Sequence, residues 1–181
     1  MERDINSYGF QLGNSLMELD MTQQKFAEET NVSRETVSAY KNERANAPSD
    51  IKAKSVHITD NPFLAIAAAH ESSGGTSAPI LNGNNVEMNR HTCLIKTVEE
   101  LEELLVAIKA VKPILIKPPN QYTAEERMQI EAMLQETLDV NTSCTNMTAI
   151  ICKETKISWI GQWTKHTTKL VARGFLKIVK G

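Results

Sequence analysis

Eight consecutive residues, Ser72-Ser73-Gly74-Gly75-Thr76-Ser77-Ala78-Pro79, followed closely by Asn82-Gly83-Asn84-Asn85, cut the sequence in two. Ser, Gly, Asn and Pro at this density favour turns over helix or sheet. No regular element is expected to run through them, so a single core shared by both sides is disfavoured. The sequence predicts a module over 3–71, a flexible linker over 72–90 and a second module over 91–181. Ile80 and Leu81 are the apolar residues of the linker expected to pack. Charge follows the same boundary: residues 1–90 hold 8 Lys/Arg and 12 Asp/Glu, net −4, and residues 91–181 hold 12 and 10, net +2.

Several classes are disfavoured by composition. With 41% hydrophobic and 23% charged residues, the chain has enough apolar surface to fold and is not of the disordered type. A net charge of −2 does not suit a general polycation for nucleic acid, though a local basic face remains open. Cys93, Cys144 and Cys152 have no CxxC spacing, which points to buried thiols in a reducing compartment rather than disulfides or zinc. No apolar run reaches the about 18 residues of a membrane span. The start, MERDINSYGF, carries acids where a secretory signal would carry basic and then apolar residues. A cytoplasmic protein without membrane contact is expected.

The first module reads as short helices. Tyr8, Leu12, Leu16 and Leu19 recur at helical spacing. Thr22 is suited to cap a helix over Gln23–Thr30, with Phe26 and Ala27 inward. Asn31-Val32 makes a tight turn. Ser33 caps the next helix, from Arg34 to about Asn42, with Val37 and Tyr40 inward. Ser49 or Asp50 begins a fourth helix carrying Ile51, Ser55 and Val56 on one side. Asp60-Asn61-Pro62 opens a fifth, because proline is tolerated in a first turn.

Residues 22–44, TQQKFAEETNVSRETVSAYKNER, thus pair two helices across a short turn, and the second opens with small polar and charged side chains. That is the layout of a helix-turn-helix. The major groove of B-DNA admits one helix, and the side chains that reach base edges must donate or accept hydrogen bonds. Arg34, Glu35 and Ser38 meet that need, while Val37 and Tyr40 hold the helix to its scaffold.

The stretch resembles the Cro/C1-type (XRE) helix-turn-helix family of phage repressors and bacterial regulators. The residues that carry the resemblance are Thr22-Gln23-Gln24, Phe26-Ala27, Asn31-Val32-Ser33, Val37, Tyr40 and the later Pro48. It covers about 8–70 and implies a five-helix bundle that binds double-stranded operator DNA. By the resemblance, Gln23 contacts a phosphate and braces the recognition helix, with Thr22 and Gln24 beside it and Ser33 at the turn. Arg34 and Glu35 read bases, Arg34 toward guanine and Glu35 toward a cytosine amino group. Ser38 and Ala39 lie over the groove, and Asn42 and Arg44 meet phosphates. The family places a glycine after the recognition helix where this chain has Glu43. It also pairs an arginine with a glutamate at positions held here by Leu16 and Lys41, where an apolar or solvent-exposed substitute is expected. Residues 34–54 carry Arg34, Lys41, Arg44, Lys52 and Lys54 against Glu35, Glu43 and Asp50, net +2. This modest attraction calls for two half-sites and a homo-oligomer held through 91–181.

The second module is expected to be a small α+β domain. Thr92–Lys96 and Pro113–Lys117 are short apolar runs suited to strands, and Thr148–Lys153 with Lys156–Trp163 reads as a hairpin about Glu154-Thr155. Thr97-Val98-Glu99-Glu100 and Thr123-Ala124-Glu125-Glu126 are capping-box patterns. The first would open a helix with Val98, Leu101, Leu104, Leu105, Ile108 and Val111 in one stripe. The second would open a helix with Ile130, Met133, Leu134 and Leu138. Beyond Thr155 there is no acid, and Lys165, Lys169, Arg173 and Lys177 recur every four residues. On a helix these form one basic stripe, with Val171, Phe175, Leu176, Ile178 and Val179 filling much of the other side. A solvated face, further DNA contact and an acidic protein partner all fit it.

No enzyme is expected. His57, His70, His91 and His166 have no metal-ligand spacing, no Gly-rich phosphate loop occurs, and the linker lacks the Ala-Gly or Cys-Gly pair of self-cleaving repressors. Neither cofactor nor metal is implied. The expected function is a sequence-specific transcriptional regulator, a repressor of a phage, prophage or mobile element, with a possible protein antagonist. The alternative is an antitoxin or anti-regulator adaptor whose bundle binds a protein.

Overall fold

The computed structural model describes residues 4–177. Its chain groups into two compact units: residues to 79 together with those from 151, and Ile80–Ile150.

Five helices make most of the first unit: α1 Tyr8–Glu18, α2 Gln23–Thr30, α3 Arg34–Lys41, α4 Ser49–Thr59 and α5 Pro62–Ser72. Four begin on a side-chain cap. Ser7, Thr22 and Ser33 each accept a backbone N–H three residues on, and Asn61 accepts those of Phe63 and Leu64. Helix α4 starts after Pro48 without a side-chain cap. One core joins the five, built from Tyr8, Leu12 and Leu16 of α1, Phe26 and Ala27 of α2, Val37 and Tyr40 of α3, and Ala47, Ile51, Leu64 and Ala68. Helices α1 to α4 end without glycine, whereas left-handed Gly74 and Gly75 follow α5. Asp20, Asn31, Glu43 and Asp60 take the left-handed conformation after α1 to α4, which Asn and Asp adopt more readily than other side chains.

Residues 151–177 lie with this bundle. Helix α7, Ala124–Thr155, ends where Lys156 turns left-handed, and α8, Trp159–Ala172, starts on the Ser158 cap. Lys153 pairs with Glu18 at 2.7 Å, and the Ile160 N–H donates to Asp60 at 2.8 Å. Trp159 is buried.

The second unit is a helical hairpin of α6, Arg90–Leu115, a single 3-10 turn at Pro119–Gln121, and α7 to Ile150. Asn89 caps α6 through the N–H groups of His91 and Thr92. Thr123 and Glu126 cap α7 reciprocally at 3.0 and 3.1 Å. Lys117 pairs with Glu126 across the turn. Along α6 the shielded positions are Cys93, Thr97, Glu100, Leu104, Ala107, Val111 and Ile114, alternating by four and three like the seam of a coiled coil.

The expected α+β domain is therefore corrected: the described residues hold helices and no strand. Thr92–Lys96 and Pro113–Lys117 lie within or at the end of α6, Thr148–Lys153 lies in α7, and Lys156–Trp163 is a connection followed by α8. A short apolar run fits a buried strand and one turn of a long helix equally well. Length decides, and the runs belong to helices of 26 and 32 residues. Thr97 opens no helix. It sits mid-α6 and donates to the Cys93 carbonyl at 2.8 Å. The basic stripe is also interrupted: Lys165 and Lys169 lie on α8, Arg173 is its C-cap, and Gly174 (φ +74°) turns the chain before Lys177. Ile178, Val179 and Lys180 lie outside the described residues.

Candidate nucleic-acid interface

The geometry of the turn between α2 and α3 follows from three residues. Asn31 is left-handed (φ 59°, ψ 45°), Val32 sends its N–H back to the Ala27 carbonyl at 3.0 Å, and Ser33 returns to extended backbone. The Ser33 hydroxyl accepts the Thr36 N–H at 3.1 Å and meets the Thr36 hydroxyl at 3.0 Å. Val37, fully buried, and Tyr40 seat α3 against Phe26 and Ala27. Spacing by three puts Arg34 on the same side as the buried pair but one turn before it, and Arg34 and Glu35 are exposed. Neither side chain makes a hydrogen bond or ion pair within the described residues.

The other expected contact residues divide into open and engaged ones. Thr22 caps α2 at the Lys25 N–H. Gln23, half-buried, is the first residue of α2. Gln24 is exposed, and its amide donates to Glu28 at 2.9 Å. Ser38 and Ala39 are half-buried. The Ser38 hydroxyl accepts from Arg44 at 3.2 Å, while the Asn42 amide donates to the Ser38 carbonyl at 2.8 Å. Asn42 and Arg44 therefore lie folded against the C-terminal end of α3, each with further N–H donors left for a phosphate. Lys52, counted above among the attracting charges, is largely buried. Its ammonium pairs with Glu71 at 2.9 Å and stands 5.6 Å from the Tyr8 ring centroid.

Glu43 stands in the left-handed conformation (φ 56°) that explains a glycine there. Its carboxylate accepts a hydrogen bond from the Ser7 hydroxyl, so α1 grips the residue that follows α3. Leu16 is buried in the core and Lys41 is half-buried, so an apolar side chain packs at the first of the two positions where the resemblance implies an ion pair. Gly9 carries a role that the sequence reading does not give it. A Cβ there would run into the Tyr40 carbonyl oxygen and lie 3.0 Å from the Glu43 side chain, so only glycine lets α1 approach the end of α3 this closely. The signal was a glycine inside an otherwise periodic helix.

Elsewhere, one carboxylate oxygen each from Glu100, Glu136 and Asp139 lies within 4.8 Å of the others. Lys96, 2.8 Å from Glu100, offsets part of that charge, and its ammonium is held protonated above its usual range by hydrogen bonds to Glu100 and Glu99. Burial pushes the Cys144 and Cys152 thiols up, away from the reactive thiolate. No helix of the described residues is long and apolar enough to cross a membrane. No family model, curated protein or solved structure matches the chain.

Proposed function

We propose that the protein is a sequence-specific DNA-binding transcriptional regulator that reads an operator with the N-terminal turn of α3. By its resemblance to phage repressors, it acts in the cytoplasm as a repressor of a phage, prophage or mobile element, without enzymatic activity. The observation that carries this reading is the contrast within α3. Val37 and Tyr40 lock the helix down, while Arg34 and Glu35, one turn earlier, stand exposed and unengaged. A rigid helix offering free polar side chains at its start is what base readout requires. Few cations of residues 34–54 support it: with Lys52 tied to Glu71, the exposed ones there are Arg34, Arg44 and Lys54. A slope of log K against log salt of roughly −3 per module is expected, too weak for tight binding without a second copy.

The test is selection of bound duplexes from a random pool by the full chain. Arg34→Ala should cost about 1–3 kcal/mol on the selected sequence and relax one base position, while Gln23→Ala weakens all sequences alike. If both folded variants bind as wild type, α3 is not the reader. A protein-binding adaptor is the second reading, favoured by exposed Glu28, Glu29 and Glu35 on the same pair of helices. A pool that yields no enriched duplex supports it.

A further inference from the structure

Helix α6 carries two heptad seams. The first, Cys93, Thr97, Glu100, Leu104, Ala107, Val111 and Ile114, is shielded within the hairpin. The second is displaced by one residue, about 100° around the helix: Leu94, Val98, Leu101, Leu105, Ile108, Lys112 and Leu115. Its six apolar members are 44–52 % exposed. Helix α7 repeats the arrangement on a shorter scale. Ile130, Met133, Glu136, Val140 and Met147 are half-buried, and Leu134, one residue past Met133, is half exposed. In an antiparallel pair, positions one step beyond each seam flank the same side. The outer seam of α6 and Leu134 therefore form one apolar face.

We infer that this face is the interface with a second copy of the chain, two α6–α7 hairpins closing into a four-helix bundle about a two-fold axis. Two helices cannot enclose a core, because each has only one neighbour. The outer-seam residues are spaced by four and three, as knobs for another helix, and their half burial sets them apart from Ile95, Val106 and Ile116, which stand off the seam and are 67–80 % exposed. Area is adequate as well. Seven aliphatic side chains, each about half exposed, offer on the order of 600 Å² per chain, so a symmetric pair buries about 1,200 Å², at the lower end of the range of stable interfaces. The face is self-complementary, as a two-fold contact requires, and Lys112 is the single charge along the α6 seam. The inference does not depend on DNA binding, though a dimer would supply the second copy that the weak module needs.

Sedimentation equilibrium of the full chain tests it. The expected mass is roughly 40 kDa, twice the 20.2 kDa of the chain. Leu101→Lys with Leu105→Lys should return the mass to that of one chain, with unchanged helical circular dichroism, since both side chains are already half exposed. Ile95→Lys, 70 % exposed and off the seam, should keep the dimer. A wild-type chain that is monomeric at tens of micromolar overturns the proposal. So does a double variant that keeps the doubled mass, or an Ile95→Lys variant that loses it. A dimer that enriches no duplex refutes the regulator reading and leaves this one standing.

Discussion

Gly9 and Gly13 lie one turn apart on α1, and the same substitution at the two positions should move stability in opposite directions. At Gly13 an added Cβ meets only the far end of the Lys41 side chain, at 3.3 Å. That chain can swing aside, so Gly13→Ala gains the helix preference of alanine, about 0.5–1 kcal/mol. At Gly9 the obstacle is the backbone carbonyl of Tyr40, with the Glu43 side chain at 3.0 Å and the Lys41 carbonyl at 3.4 Å. The C-terminal end of α3 must shift, which disturbs buried Tyr40 and the Ser7–Glu43 hydrogen bond. Overpacking of this kind costs about 1–3 kcal/mol, against a propensity gain below about 1 kcal/mol in a first turn. A net loss of about 1–2 kcal/mol remains, and the two variants should differ by about 2–3 kcal/mol. Urea unfolding of the full chain reads this through Trp159 and Trp163, the two tryptophans of the sequence, which both lie on α8 in the same unit as α1. For a urea slope of about 1–3 kcal/mol per molar, the midpoints should separate by roughly 0.7–3 M. Equal midpoints, or Gly9→Ala more stable than wild type, would refute the packing argument and with it the reason for glycine at residue 9.

Other consequences are separable. Asp60→Ala removes the acceptor of the Ile160 N–H and puts alanine into a left-handed backbone, so it should cost about 2–3 kcal/mol, with limited proteolysis moving to residues 151–177; Asp60→Asn, which keeps an acceptor and tolerates that backbone, should behave closer to wild type. Burial first, opposed by its hydrogen bond with Ser55, pushes the Tyr8 phenol up to about 12. The raised value means that the neutral phenol's contribution is whole below pH of about 10 and is lost as pH rises toward 12. Tyr8→Phe should flatten that alkaline limb in a pH series of urea midpoints, yet cost only about 1 kcal/mol at neutral pH, because the Ser55 hydroxyl still donates to the Ile51 carbonyl at 2.6 Å. Asn31→Val should cost about 1–2 kcal/mol through its left-handed backbone, whereas Asn31→Gly should stay within about 0.5 kcal/mol; thermal melts compare them.

Local signals were enough for the first five helices, and the reason is that their information is short-range. Thr22, Ser33 and Asn61 each satisfy N–H groups two or three residues away, so a cap can be read beside the helix it starts. The inward set Phe26, Ala27, Val37 and Tyr40 likewise follows from period alone, and with it the exposure of Arg34 and Glu35. The same kind of signal failed wherever the deciding partner lay far along the chain. Thr97 and Thr123 open the same Thr-x-x-Glu pattern, but only Thr123 caps. Asn89 starts α6 eight residues earlier, and Thr97 then falls on the seam that the hairpin shields. The apolar runs at 92–96, 113–117 and 148–153 are helical because long helices place them there, a matter of tertiary burial and not of their own composition. Glu43 follows α3 in a conformation that glycine favours, and its carboxylate meets Ser7, 36 residues away. Asn42 and Arg44 fold onto Ser38, and Lys52 turns inward to Glu71 across 19 residues. Which cations remain for a phosphate, and which leucines remain for a partner, are consequences of contacts made at a distance, because burial belongs to a surface that several segments build together.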